Sequence, residues 1–136
     1  MKKLNENRPP EVATRMRHNL FPAKSVINIG TWNVRSLYKT GGLAQLIREM
    51  RNYDLQILGI SEMRWTGGGM MSSEGVTVLH SGGLKHEREV GVLLNGEASG
   101  SLLGWEAVSD RILTVRLQAR FFNTTIIQVY APTNTA

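Results

Sequence analysis

Apolar and polar residues recur along this chain with two different periods, and the switches between them mark out its elements. From Val26 to Asn33 (VINIGTWN), Val26, Ile27, Ile29 and Trp32 form a short, mostly apolar run that predicts a strand closing on Asn33. Between Gly42 and Asn52, Leu43, Leu46, Ile47 and Met50 fall at three- and four-residue spacings, with Gln45, Arg48, Glu49 and Arg51 on the other side. That period predicts an amphipathic helix over Gly42–Asn52, with Thr40 as its cap. Leu55, Ile57, Leu58 and Ile60 then suit a strand buried on both faces, and the run stops at Ser61-Glu62-Met63-Arg64-Trp65. Strand, helix and strand of these lengths predict a β-α-β unit whose two strands lie parallel in one sheet.

After Trp65 the pattern shortens. Gly67-Gly68-Gly69-Met70-Met71 predicts a hinge or a substrate-side loop, because its glycine spacing matches no phosphate-cradling motif and no helix follows. Val76–His80 and Val90–Asn95 predict two strands separated by the turn-rich Ser81-Gly82-Gly83. Over Arg111–Gln118, Leu113, Val115 and Leu117 alternate with Thr114 and Arg116, as in a strand with one apolar face. Ala119-Arg120 allows a reversal into Phe122–Tyr130, closing a hairpin. Residues 1–24 keep no period, contain Pro9, Pro10 and Pro22, and predict a flexible lead-in to one domain over 25–136.

Composition narrows the class. With 41% hydrophobic and 20% charged residues among 136, the chain has the balance of a globular domain. It contains no cysteine, which excludes disulfides and thiolate metal sites and fits a reducing compartment. No apolar stretch reaches the length of a membrane span and no secretion signal is legible, so the expected location is nuclear or cytoplasmic. Residues 1–24 hold six basic side chains against Glu6 and Glu11, a net +4 out of the total +5. A basic arm ahead of a nearly neutral body suits a polyanion, although many such tails are merely solvated.

Three strand-end stretches carry the chemistry: TWNVRSL (Thr31–Leu37), GISEMRW (Gly59–Trp65) and VYAPT (Val129–Thr133). Read singly, each has a plain explanation. Glu62 has an ion-pair partner in Arg64, Asn33 satisfies backbone groups at a strand end, and Tyr130 is a half-buried strand tyrosine. Arg111 stands beside Asp110 and Glu106, while Arg35 and Arg64 are loop arginines open to solvent. His80 and His86 belong to turns or surface. Trp32 suits a core position, while Trp65 and Trp105 could stack on bases.

Together and in this order, the three stretches resemble the endonuclease/exonuclease/phosphatase superfamily. The wording is most similar to the endonuclease domain of non-LTR retrotransposons and its craniofacial-development-protein-like relatives. The resemblance covers about Val26 to Thr133 and implies an α/β fold, part of a four-layer α/β/β/α sandwich of the deoxyribonuclease type. It implies a DNA endonuclease that uses Mg²⁺ or Mn²⁺ to neutralise charge on the reacting phosphate. By matching position, Glu62 would ligate the metal and Asn33 would orient it through its amide. Tyr130 would contact the scissile phosphate, with Arg111 nearby. Arg35, Arg64, Thr133 and Asn134 would contact phosphate or DNA.

The pattern also departs from that superfamily. Its later Asp-x-Asn and terminal Asp-His pairs are not found among these residues: Asp54 and Asp110 are the only aspartates, and His18, His80 and His86 all precede Tyr130. The sequence thus resembles the amino-terminal part of such a domain, expected to hydrolyse DNA poorly by itself. With its partner sheet partial or missing, the inner face of the first sheet is expected to lie uncovered and to promote self-association. Two other readings stand beside this one. One is a non-catalytic remnant that binds nucleic acid through its basic arm; the other is a phosphomonoesterase or lipid phosphodiesterase of the same superfamily.

Overall fold

A computed structural model describes residues 27–33, 41–61, 69–81, 89–119 and 122–131. Among these residues the order is β1 (Ile29–Asn33), α1 (Gly42–Asn52), β2 (Ile57–Ser61), β3 (Gly69–Ser73), β4 (Val76–His80) and β5 (Val90–Leu94). There follow α2 (Gly96–Gly100), β6 (Leu102–Ser109), β7 (Ile112–Leu117) and β8 (Thr124–Val129). Two sheets form: a five-stranded one in the order β1-β2-β5-β4-β3 and a three-stranded one in the order β6-β7-β8.

The β-α-β unit is present as its spacing demands. β1 and β2 are parallel, in register from Ile29 opposite Ile57 to Asn33 opposite Ser61. Helix α1 buries Leu46, Ile47 and Met50 against Leu58, Ile60, Val76, Val78 and Leu93, with Trp32, Leu43 and Leu55 packed at the margin. Burial of each large side chain contributes about 1.5–3 kcal/mol, far more than the helix propensity of eleven residues differing by tenths. The cap departs from the expectation of Thr40, which lies outside the described residues. Gly41 occupies the N-cap at φ 83°, and no side chain caps the helix. Glycine reaches that left-handed turn without a Cβ clash.

The other face of the five-stranded sheet packs on the three-stranded sheet. Ile57, Leu79, Val90, Val92 and Leu94 meet Leu102, Trp105, Leu113, Val115 and Leu117 in a second core. Helix, sheet and sheet therefore stack as three of the layers of an α/β/β/α sandwich, and the expected fold class holds. The middle of the inner face is covered by β6, β7 and β8, contrary to the expectation of an uncovered one, while Ile29 (53%) on β1 and Met70 (47%) on β3 stay exposed toward its edges. Further exposed apolar side chains, Val108 (52%), Ile127 (60%) and Val129 (52%), lie on β6 and β8 of the three-stranded sheet.

Three elements escaped the sequence pattern. β3 occupies part of the stretch expected to be a loop. It pairs antiparallel with β4 through Glu74-Gly75, both at positive φ as a two-residue hairpin turn requires. β6 and α2 arise where the text carries no clean period. Asn95 caps α2, its Oδ1 accepting the Ala98 amide at 2.9 Å. Trp105 on β6 is 2% exposed, so it packs the core and cannot stack on a base.

Candidate functional site

Parallel pairing brings the carboxyl ends of β1 and β2 to one rim, where Asn33 lies opposite Ser61. Since paired residues share a face and Ile57 lies in the inter-sheet core, the series Ile57, Gly59, Ser61 and its partners Ile29, Thr31, Asn33 face the second sheet. On β8 the alternating positions Ile126 and Tyr130 pack against that same core, which places Gln128 between them on the facing wall. A cavity of about 300 Å³ opens there, lined by Thr31, Trp32, Asn33, Ser61, Gln128 and Val129.

Hydrogen bonds tie the rim together. Ser61 pairs with Val90 at the start of β5. The Ser81 amide donates to the Val90 carbonyl at 2.9 Å, and the Ser81 hydroxyl to the Asp110 carbonyl at 2.9 Å. The Tyr130 amide donates to the Arg111 carbonyl at 3.0 Å. Asn33, Ser61, Ser81, the turn at Asp110-Arg111 and Tyr130 therefore stand at the same end of the sandwich. Asn33 is exposed and Tyr130 half-buried. Arg111 is also half-buried, and its Nε is shielded from solvent without a hydrogen-bond partner. Among the described residues Arg111 makes no ion pair with Asp110 or Glu106, the partners its sequence neighbourhood offers.

Glu62, Arg35, Arg64, Thr133 and Asn134 lie outside the described residues, as do Trp65, His86 and residues 1–24. Ser61, one residue before Glu62 in the chain, marks the end of β2. Among the described residues no group of three or more His, Cys, Asp or Glu gathers as a metal site. What does gather is neutral oxygen chemistry: the Asn33 and Gln128 amides and the Thr31 and Ser61 hydroxyls. A hard cation such as Mg²⁺ takes one or two carboxylates beside neutral oxygens, and none of the described residues lining the cavity supplies a carboxylate.

Gln128, Ser81 and Glu89 did not stand out in the sequence. Gln128 could have been found as a polar residue at an inward position between Ile126 and Tyr130. Ser81 is 3% exposed and joins the two sheets, and Glu89 is fully buried at the head of β5. Its signal was a carboxylate directly before the unbroken apolar run Val90–Leu94.

No protein-family model matches the chain. Over 106 residues, 77% of its length, it is 41% identical to craniofacial development protein 2 of Bos taurus. It is 39% identical to the same protein of Tragulus javanicus over an equal span. The chain spans 18% of the length of either relative. In three dimensions it is similar to the crystal structure of the AP endonuclease LMAP from Leishmania major. The TM-score is 0.58 at 12% sequence identity, over 92% of this chain and 52% of that one. At that identity the likeness speaks for the fold.

Proposed function

From a chain with the deoxyribonuclease-like fold and a 41% identity to craniofacial development protein 2 over 106 residues, we propose that it is the amino-terminal part of a metal-dependent DNA endonuclease domain. The similarity to non-LTR retrotransposon endonucleases belongs to this reading, and so does DNA as the partner. The observation that carries it is the shared rim: Asn33 ends β1, Ser61 ends β2 and Tyr130 follows β8 at the same end of the sandwich.

On this reading Glu62 and Asn33 would hold Mg²⁺, or Mn²⁺ in its place. When bound, the ion supplies neutralisation of charge on a phosphodiester. Asn33 offers an amide oxygen whose direction is fixed by β1 and its pairing with β2. Tyr130 holds a phenol at the facing wall, anchored through its own amide to Arg111. The unpartnered Nε of Arg111 supports a role for that side chain as an anion contact, since a shielded donor without a partner costs about 1–3 kcal/mol and a phosphate would satisfy it. Arg35, Arg64, Thr133 and Asn134 would complete the grip on the DNA backbone.

The 136 residues contain neither an Asp-x-Asn nor a histidine after Tyr130 to serve as base or oxyanion donor. Tested alone with Mg²⁺, this polypeptide should bind DNA and leave supercoiled plasmid intact. Metal-dependent nicking that disappears in Glu62→Ala would show that these residues suffice for catalysis. DNA binding that is indifferent to Mg²⁺ and lost on removal of residues 1–24 would favour a basic-arm binder without a working pocket.

A further inference from the structure

We propose that Gln128 is a positioning residue that sets the gap between the two walls of the rim, and that Gly59 exists at its position to admit it. The proposal rests on the reading of the rim as a phosphate and metal site. Gly59 and Ser61 lie on the inter-sheet face of β2, and Gln128 and Tyr130 face them from the end of β8. At Gly59 the Gln128 amide fills the place a side chain would take: a Cβ there would overlap Oε1 and come within 2.8 Å of Cδ. The Gln128 Nε2 donates to the Ile60 carbonyl over a long 3.4 Å, the bond that joins β8 to β2 beneath the rim.

The lever arm is short. Tyr130 follows Gln128 by two residues, and Ser61 follows Ile60 by one, with Asn33 paired to Ser61. Whatever separates β8 from β2 at Gln128 therefore separates Tyr130 from Asn33. An amide at this place both fills the space over Gly59 and reaches the Ile60 carbonyl, which an apolar group of equal size would not do.

The experiment compares the 136-residue chain with its Gly59→Ala, Gln128→Ala and Gly59→Ala/Gln128→Ala variants. Two readouts are followed: the NMR signals of the Asn33 side-chain amide and Tyr130 ring, and the Mg²⁺-dependent part of the affinity for a DNA duplex. Gly59→Ala should shift both sets of signals and weaken the Mg²⁺-dependent affinity about tenfold, the size expected for side chains in direct contact. The double variant, in which the alanine methyl enters the space vacated by the glutamine, should return the signals toward wild type and the affinity to within about threefold. Gly59→Ala signals unchanged at Asn33 and Tyr130, or a double variant no better than Gly59→Ala, would overturn the proposal. Absence of Mg²⁺-dependent binding in the wild-type chain would sink the functional reading, while the NMR comparison would still decide the role of Gln128.

Discussion

A side chain at the end of a strand is aimed by the backbone behind it, and Asn33 and Tyr130 are both of this kind. Tyr130 also packs against the inter-sheet core, whereas Asn33 is exposed and fills none, so Asn33 is the one whose removal separates a role at the rim from folding. Asn33→Ala should leave the melting transition nearly unmoved, a change of about 0.5 kcal/mol or less, since the side chain is exposed. It should nevertheless abolish the Mg²⁺-dependent part of DNA binding, measured by titration with and without the metal. These positions were legible in the sequence because an apolar run that stops at Asn33, or at Ser61 before Glu62, marks its own end. Gln128, Ser81 and Glu89 were not. Alternation tells which face a residue takes, whereas their roles depend on what stands across the gap: Ile60, Asp110 and the packed head of β5. Those partners come from other segments, and no local spacing announces them.

At the scale of elements, the strongest periods gave the right answers. Helix α1 begins and ends where its four apolar positions predicted, and β1 and β2 are parallel as the short β-α-β span requires. The strands at Val76–His80, Val90–Leu94 and Ile112–Leu117 match their apolar patterns to within a residue at each end. β3 was hidden because Gly69-Met70-Met71-Ser72-Ser73 has no alternation; its pairing comes from the Glu74-Gly75 turn and from β4 beside it. Leu93 is central to the helix-facing core and fully buried, so Leu93→Ala should cost about 2–5 kcal/mol in chemical denaturation, by lost transfer energy and a residual cavity. Asn95→Ala should cost about 0.5–2 kcal/mol, because it orphans the Ala98 amide at the start of α2.

Taken whole, the described residues form two cores on either side of one sheet, with α1 outside one face and the three-stranded sheet on the other. The fold class was legible because β-α-β followed by meandering strands has few ways to bury itself. The location of exposed apolar surface was not, since it depends on how few strands are enough to cover the inner face. Val108 and Ile127 are exposed on the three-stranded sheet, and β8 is its edge. We expect concentration-dependent self-association of the chain there. Sedimentation or size exclusion should show it relieved by Val108→Lys/Ile127→Lys with no large loss of the melting transition; association unaffected by that pair would place the sticky surface elsewhere.

The central claim is that Asn33, Glu62 and Tyr130 surround one pocket for a hard divalent cation and a phosphate. Its most direct test is a titration of the isotope-labelled chain with Mn²⁺, read as distance-dependent broadening of assigned NMR signals. The account predicts selective loss of the Asn33, Ser61 and Tyr130 signals at low Mn²⁺, competed by Mg²⁺ and abolished by Glu62→Ala. Broadening centred on any other part of the molecule, or broadening at the rim that survives Glu62→Ala, would contradict it.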